Sequence, residues 1–330
     1  MYLKSKALYL YTHSPVHAGA GSSLSAVDLP IQRERATGFP IIQSGSLKGA
    51  LKEEARNKYS KDKKDLLEAL FGPDKPDFAS AIGVGDAQIL LFPVRSFTGV
   101  FAWTTCTTVL QRWVRAMKDI HEVPDIPPAP TRELDDTPQC YSLNGNVSDE
   151  YVILEDLLFK NQSEPRSANG KGMVSALAEF LASNIFANEP YWQNRLKSHL
   201  VILPDDEFTF FVQHATEVQT RIRLNPDTKN VERGALWTEE HLPEDTLLYA
   251  PIYARRIMSP SPQDCLKDLR NSDDPNKEAE NVLTELTKTL NGIIQLGGDE
   301  TTGHGFVRLV WMEKKGGIYG SLNLNPEKSG

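Results

Sequence analysis

The chain has 330 residues, of which 40% are hydrophobic and 24% charged, the composition of a globular protein large enough for a well-buried core. No apolar run approaches the length of a membrane-spanning helix, so we expect a cytoplasmic protein with no membrane partner. The cysteines Cys106, Cys140 and Cys265 stand singly, which excludes a disulfide framework and a zinc knuckle.

The net charge of −8, taken alone, argues against a nucleic-acid-binding protein. The charge is unevenly distributed, however. Residues 1–64 contain eleven Lys and Arg against five Asp and Glu, a net +6, and the rest of the chain carries −14. This distribution fits one surface that faces a polyanion and another that faces proteins or solvent, although an uneven scatter without a function is an equally simple explanation.

The first elements along the chain are a strand, a long loop, a short strand and a helix. Bulky β-formers predict a strand over residues 8–11, and the Gly- and Ser-rich loop that follows contains His17 and ends near Asp28. A second apolar run leads to a helix that Ser44 or Ser46 can cap. Small residues precede this helix, and exposed backbone N–H groups at such an N-terminus suit a phosphate.

The rest of the chain mixes predicted helices with predicted strands. Helical spacing of apolar residues predicts helices over residues 61–70, 107–120, 174–187 and 276–290. Apolar runs bounded by turn residues predict strands over residues 87–94, 151–159, 199–204, 208–213 and 247–253. Residues 121–148 contain five prolines and little periodicity, which predicts a loop or an insertion. Because helices and strands do not strictly alternate, the expected fold class is α+β.

A long hairpin is predicted over residues 214–243. The period-two pattern of residues 218–224 is typical of a strand, and it places Arg221 and Arg223 on one basic face. After a turn, the returning strand contains Trp237, Glu239, Glu240 and His241. A two-stranded hairpin is marginally stable by itself, so it must lean on a neighbour or on a ligand.

A glycine-rich loop, GGDETTGHGF, separates the last two predicted strands. Glycines let a backbone adopt positive φ and approach a phosphodiester closely, so that amides can point at the anion. The candidate phosphate contacts in this loop are Gly297, Gly298, Gly303 and Gly305. A tight connection between two strands, without any ligand, explains the same glycines.

Several stretches of the sequence resemble one protein family. They are THSPVHAGAG, AVDLPIQRE, GFPIIQSGSLKGALK, TFFVQHATEVQTRIRL, ERGALWTEEHLPEDTLLYAPI and GGDETTGHGF. The first five are similar to the repeated backbone subunits of type III-B CRISPR RNA-guided effector complexes, the Cmr complexes, which belong to the RAMP superfamily, and the sixth resembles the glycine-rich signature of that superfamily. The resemblance extends from the first strand to the last and is least diagnostic in the proline-rich segment.

This resemblance implies a single domain with a ferredoxin-like, RRM-related palm. It also implies three additions to the palm: a proline-rich insertion around residues 121–148, a finger-like insertion around 149–200 and a β-hairpin thumb around 214–243. Several copies would stack helically along one CRISPR guide RNA, together with other Cmr subunits. They would cut the paired single-stranded target RNA at regular intervals as endoribonucleases that use a divalent metal ion, Mg²⁺ or Mn²⁺. The alternative is a non-catalytic, structural RNA-binding backbone subunit of a related RNA-guided complex.

Asp28 is the candidate catalytic and metal-binding residue, because AVDLPIQRE matches the loop that holds the family's essential aspartate. RNA can be cut when its own 2′-hydroxyl attacks the adjacent phosphorus, which requires in-line geometry, charge neutralisation and proton transfer. Without the resemblance, a lone Asp in a loop is usually a turn-former. His17, in the same loop, is a candidate to shuttle a proton, and a histidine bonded to loop carbonyls is an equal alternative.

The family's thumb wedges into the guide–target duplex and brings an acidic residue to the cleavage site. The resemblance therefore implies that Glu239 or Glu240 of a neighbouring copy joins Asp28, and that Trp237 stacks on a base. Acids in solvent on a hairpin edge and a core tryptophan are the plainer interpretations. The remaining RNA-binding candidates are Ser46, Lys48, Arg221, Arg223 and the four glycines of the C-terminal loop. A small-molecule hydrolase that uses His17 and Asp28 is disfavoured, because no nucleophile is evident.

Overall fold

A computed structural model describes residues 2–23, 26–75, 77–131, 137–143, 150–261, 264–271 and 273–313. Within these residues the fold is mixed α+β and consists of a 12-stranded mixed sheet, the helices packed on it, and a separate two-stranded hairpin. In this described part of the chain, no helix is both long enough and apolar enough to cross a membrane.

The strands in chain order are β1 (Lys4–Thr12), β2 (Ile41–Ile42), β3 (Ile82–Val84), β4 (Ala87–Arg95), β5 (Phe101–Cys106), β6 (Gln139–Ser142), β7 (Tyr151–Leu154), β8 (Leu157–Gln162), β9 (Leu200–Leu203), β10 (Glu217–Leu224), β11 (Val231–His241), β12 (Leu247–Ala254), β13 (Gly292–Gln295) and β14 (Phe306–Met312). The α-helices are α1 (Ser44–Lys58), α2 (Lys64–Phe71), α3 (Thr107–Met117), α4 (Met173–Ile185), α5 (Pro190–His199), α6 (Asp205–His214) and α7 (Pro275–Thr289).

Strand β1 lies at the centre of the buried part of the large sheet. It pairs antiparallel with β12 on one side and with β14 on the other, and residues 6–12 are all buried. The sheet order is β13-β14-β1-β12-β4-β5-β9-β6-β8-β7, with β2 on β4 and β3 on β12. The apolar run of β1 is continuous because other elements cover both of its faces. The chain leaves this rigid strand directly into the Gly- and Ser-rich loop.

Two predicted strands differ from the observed structure. Residues 208–213 form part of helix α6 instead of a strand, because Phe208, Phe211 and Val212 repeat at helical spacing and are buried together. The first turn of α6 is acidic, which favours the helix through its macrodipole. Residues 151–159 form the paired strands β7 and β8 instead of one strand. Helix α5 had no predicted counterpart.

The proline-rich segment 121–148 is only partly described, since residues 132–136 and 144–149 lie outside the described residues. Its described part contains β6, which pairs with β8 and β9 in the large sheet. The long hairpin predicted over residues 214–243 is present as β10 and β11. It forms its own two-stranded sheet, so side chains and loops fasten it to the rest of the chain.

Candidate functional site

The loop that contains His17 and Asp28 runs along the free edge of β11. Val16 forms a bridge with Leu242, and Leu29 forms a bridge with Glu239. The loop therefore leaves the hairpin base and returns to it a few residues away, and residues 24–25 of the chain lie outside the described residues. This closure places His17 and Asp28 beside the same strand.

Asp28 is exposed, and Thr238 fixes its carboxylate. Atom Oδ2 of Asp28 accepts hydrogen bonds from the backbone N–H of Thr238, at 2.8 Å, and from its Oγ1, at 3.0 Å. The N–H of Asp28 donates back to Oγ1 of Thr238 at 3.0 Å. The backbone and side-chain hydrogen bonds from Thr238 lower the pKa of Asp28, so the carboxylate is ionised at neutral pH. Among the described contacts only Oδ2 is engaged, which leaves Oδ1 for a metal ion or a hydroxyl group.

His17 is half-buried at the same edge of the hairpin. Its Nδ1 lies 2.7 Å from the carbonyl oxygen of Glu240, and because a carbonyl can only accept, Nδ1 is the donor. In the neutral ring, Nε2 is therefore the nitrogen that can accept a proton. His17 is thus hydrogen-bonded to a carbonyl through Nδ1, and its other ring nitrogen, Nε2, is the one that could take part in proton transfer.

Glu240 is buried and held inside its own chain. Its carboxylate forms an ion pair with Arg33 and accepts hydrogen bonds from the N–H of Ile31, at 3.0 Å, and from Oγ1 of Thr216, at 2.7 Å. In this arrangement the carboxylate of Glu240 is engaged by three partners of its own chain. Arg33 is likewise occupied and is a poor phosphate contact.

Glu239 is also buried, on the opposite face of β11. It accepts hydrogen bonds from Nε of Arg221 and from Nε1 of Trp237, both at 2.9 Å. In the single chain both carboxylates contact groups of its own hairpin base and loop, so the approach of a neighbour's Glu239 or Glu240 to Asp28 stays a prediction, and it would require these contacts to break. The plainer interpretation, that Glu239 and Glu240 are acids in solvent on a hairpin edge, does not hold either, because both are buried. Trp237 is half-buried.

The face of β10 that turns outward is the apolar one. Val218, Ile222 and Leu224 are 48–52% exposed, and Leu236 of β11 is 62% exposed. Arg221, on the alternate face, turns inward to Glu239, so it is not free to bind a phosphate. Of the two arginines predicted to form a basic face on this strand, Arg221 is paired inside the fold and Arg223 is exposed.

The glycine-rich loop between β13 and β14 packs against the His17 segment. The amides of Gly298, Gly303 and Gly305 donate to carbonyl oxygens of the chain at 2.9–3.0 Å, so they do not point outward at a phosphate. A Cβ at Gly297, whose φ is +92°, would lie only 2.5 Å from the carbonyl oxygen of His17. Close packing of two backbones therefore accounts for these glycines.

The start of helix α1 is capped differently from the prediction. Gln43 is the N-cap residue, and the carboxylate of Asp86 accepts the hydrogen bond from the N–H of Ser44 at 2.7 Å. Neither Ser44 nor Ser46 caps the helix with its side chain. The hydrogen bond to Asp86 thus engages one of the N–H groups with which the helix could bind a phosphate.

Ser46 and Lys48 nevertheless lie near this helix start. Ser46 is exposed and its Oγ accepts a hydrogen bond from Gln32 at 3.2 Å. Lys48 is half-buried, and its Nζ donates to Oγ of Ser80 at 2.9 Å. Burial, together with the nearby charges of Lys52 and Arg255, lowers the pKa of Lys48.

A second cluster, made of His241, Asp299 and His304, lies between β11 and the glycine-rich loop. Burial lowers the pKa of His241 in spite of its hydrogen bond to Asp299, so the ring is neutral at neutral pH. Sequence reasoning missed this cluster because His241 is 58 residues from Asp299 and 63 from His304. The only sequence signal was the presence of both loop residues inside the glycine-rich motif.

The family model of the RAMP superfamily matches residues 9–308 of the chain. The CRISPR system Cmr endoribonuclease Cmr4 of Pyrococcus furiosus is 35% identical over 315 residues, which cover 94% of this chain and 97% of that relative. The CRISPR system CMR subunit Cmr4 of Saccharolobus solfataricus is 27% identical over 323 residues, which cover 93% of this chain and 96% of that relative.

Solved structures agree with these sequence matches. The crystal structure of oligomeric Cmr4 from Pyrococcus furiosus superposes with a TM-score of 0.65 at 30% identity, and the match covers 95% of this chain and all (100%) of that one. A chain of a type III-B Cmr-beta complex bound to cognate target RNA has a TM-score of 0.66 at 21% identity, covering 94% of this chain and 98% of that one. The latter similarity is one of fold.

Proposed function

Because the chain belongs to the RAMP superfamily, we propose that it is the endoribonuclease backbone subunit of a type III-B CRISPR Cmr complex. Several copies bind one guide RNA, stack on one another and cut the paired target RNA at regular intervals. The observation that carries this function is Asp28, an exposed and ionised carboxylate that Thr238 holds in one orientation. The Pyrococcus furiosus relative, a Cmr endoribonuclease, covers almost the whole chain.

The chemistry that this site supports is cleavage by the 2′-hydroxyl of the target RNA. This hydroxyl attacks the adjacent phosphorus, the 5′-oxygen leaves, and a cyclic phosphate remains on one product. Asp28 orients the reacting ribose by accepting a hydrogen bond from its 2′-hydroxyl at Oδ1, since Oδ2 is held by Thr238. His17, with Nδ1 bonded to a carbonyl, accepts or returns a proton at Nε2.

A divalent ion fits Asp28. Mg²⁺ and Mn²⁺ prefer oxygen ligands, and Mg²⁺ is typically bound by one or two carboxylates together with substrate phosphates and water. Asp28 offers one exposed carboxylate of this kind, so the nucleic acid and water would complete the ligand set. When bound, the ion supplies charge neutralisation at the phosphate.

The finer architecture follows from the same family membership. The large sheet contains a ferredoxin-like palm, residues 149–200 form a finger-like insertion, and hairpin β10–β11 is the thumb. The separate pairing of β10 with β11 and the exposed apolar face of its outer half support the thumb assignment. The complex acts in the cytoplasm, where guide RNA, target RNA and other Cmr subunits are its partners.

The RNA surface includes Ser46, Lys48, Arg223 and Trp237, with Gly297, Gly298, Gly303 and Gly305 shaping the loop beside it. Lys48→Ala should weaken guide binding for every guide sequence and reduce the slope of log affinity against log salt by about one. Filter-binding titrations at several salt concentrations measure this slope. A loss confined to some guide sequences would remove Lys48 from the phosphate contacts.

A reconstituted Cmr complex tests the proposed function directly. With Asp28→Ala in every copy, we expect normal assembly on guide RNA and no target cleavage, whereas the parent cuts at regular intervals. A parent complex that assembles, binds target and never cuts would favour the non-catalytic, structural alternative. Purification without any RNA, judged by absorbance at 260 nm, would contradict both RNA-binding functions.

A further inference from the structure

Three side chains converge between the end of β11 and the glycine-rich loop. Atom Nε2 of His241 lies 3.4 Å from Oδ2 of Asp299 and 3.2 Å from Nδ1 of His304. All three donor atoms lie within 4.8 Å of one another. A tetrahedral Zn²⁺ site with ligand bonds near 2.0–2.1 Å has donor atoms about 3.3–3.4 Å apart. The two separations that involve His241 are therefore close to the edges of such a tetrahedron, and the third, between Asp299 and His304, is no longer than 4.8 Å.

The backbone holds these donors in place before any ligand arrives. His241 ends β11, and its side chain is completely buried. Asp299 and His304 flank a short 3₁₀ turn, Glu300–Thr302, and the N–H of His304 donates to the carbonyl oxygen of Asp299 at 3.3 Å. Asp299 itself has a φ of +63°, an uncommon conformation for a residue other than glycine. The loop thus presents a carboxylate and an imidazole to the same point.

We propose that His241, Asp299 and His304 bind one Zn²⁺ ion and leave a fourth position open to water. Two imidazole nitrogens with one carboxylate are ligands that zinc accepts, whereas Mg²⁺ requires oxygen ligands. In the metal-free chain the carboxylate of Asp299 accepts the hydrogen bond from Nε2 of His241, so zinc binding at Nε2 moves the ring proton to Nδ1, which is buried and has no hydrogen-bond partner among the described residues.

This zinc site does not include Asp28 and its argument does not rest on the proposed function, although the rings of His241 and His17 are neighbours, with centroids 5.5 Å apart. His241 lies three strand residues beyond Thr238, which places it about 10 Å further along β11. Arg221 contacts Asp299 and His304 only at 3.4 Å, and its shorter contact, at 2.9 Å, is with Glu239. Arg221 can therefore keep Glu239 and release the other two when the ion binds. The zinc ion ties the hairpin base to the glycine-rich loop.

Metal titration of the whole purified chain tests the site. Protein stripped with a chelator is titrated with ZnCl₂ alone in a calorimeter, and bound metal is counted by mass spectrometry after desalting. We expect one equivalent of zinc and no displacement by millimolar MgCl₂. His304→Ala and the near-isosteric Asp299→Asn should each weaken binding at least tenfold, whereas His214→Ala, an exposed histidine at the end of α6, should not change it.

Two further readouts make the result decisive. Co²⁺ in place of zinc should give the visible absorption bands of tetrahedral coordination in the parent and in His214→Ala, and not in His304→Ala. Circular dichroism verifies that each variant is folded, and Asp299→Asn replaces His304→Ala if the latter is not. Absence of zinc binding by the parent, or unchanged affinity in both folded cluster variants, would overturn the site.

Discussion

The two halves of hairpin β10–β11 are built in opposite ways. In the base, Glu239, Glu240 and His241 are buried, and each contacts side chains or backbone groups of the same chain. In the outer half, Ile222 is 49% exposed and Leu236 is 62% exposed. The same strand pair thus passes from a buried polar region, which makes its contacts within the chain, to a region that exposes large apolar side chains to solvent.

This difference indicates two separate roles for the hairpin. The base positions Asp28, and the outer half is suited to binding a partner. The base needs nothing outside its own chain, and it holds Asp28 through Thr238. The outer half exposes apolar side chains, and their exposure does not stabilise an isolated chain. Such an exposed apolar surface is typical of one that binds a partner. The hairpin therefore holds the proposed cleavage residue of its own chain at one end and offers a candidate surface for RNA or a neighbouring subunit at the other.

Asp28→Asn should have the largest effect. The amide keeps the shape of the side chain and can still accept hydrogen bonds from Thr238, but it removes the charge. Cleavage by the reconstituted complex should fall at least about 100-fold, the usual contribution of a group that takes part in proton transfer or metal binding. Guide affinity should be unchanged because the substitution is nearly isosteric and the proposed guide contacts are other residues, among them Lys48. Cleavage within about twofold of the parent would show that Asp28 is not catalytic.

Glu240→Ala should destabilise the base. It removes the ion-pair partner of Arg33 and leaves the N–H of Ile31 without its acceptor, and we expect the free energy of unfolding to fall by about 2–3 kcal/mol. Chemical denaturation measures this change. The matched control is Glu280→Ala, which removes an exposed ion pair with Lys277 and should cost less than about 0.5 kcal/mol. If the free energy of unfolding falls equally in the two variants, the buried contacts of Glu240 stabilise the chain no more than an exposed ion pair does.

Thr238→Val should reduce cleavage about tenfold, because one hydrogen bond to the charged carboxylate of Asp28 is lost and its orientation is less fixed. Thr238→Ser keeps the hydroxyl and should restore most of the rate. Single-turnover cleavage with saturating target separates this loss from weaker binding. If the Ser and Val variants cut equally well, the hydroxyl does not position Asp28.

Substitutions in the outer half should have the smallest effect on the isolated chain. The double variant Ile222→Thr and Leu236→Thr should change the free energy of unfolding by less than about 0.5 kcal/mol, since both side chains are exposed. Leu242→Ala, at the buried base, should cost about 2–5 kcal/mol. Assembly on guide RNA, followed by native gel, should nevertheless weaken in the outer double variant. Unchanged assembly would remove the outer half from the partner surface.

Most of the regular elements could be predicted from local patterns. The apolar run of β1 and the helical spacing in α3, α4 and α7 are strong local signals that agree with the global fold. Helix α6 was mistaken for a strand because FTFFV is rich in β-formers. The helix is favoured because it buries Phe208, Phe211 and Val212 together on one side. Such burial depends on the tertiary structure, so a local sequence pattern does not reveal it.

The candidate site was only half predictable. Asp28 and His17 came from the resemblance of their loop, but their partner strand did not, since Asp28 and Thr238 are 210 residues apart. Period two in residues 218–224 identified a strand with two faces, yet it could not indicate which face turns outward. The structure exposes the apolar face and buries Arg221, because Glu239 provides a partner for the arginine inside the fold.

The central claim is that each chain's hairpin base serves its own Asp28, and a mixed assembly tests it most directly. Subunits with Asp28→Ala are co-assembled on guide RNA with subunits carrying Thr238→Val, and cleavage is compared with that of each uniform assembly. If the site lies within one chain, no copy has both residues intact, and the mixture should cut at the average of the two uniform rates. Cleavage well above that average would mean that an intact hairpin rescues the Asp28 of its neighbour, which would contradict the account.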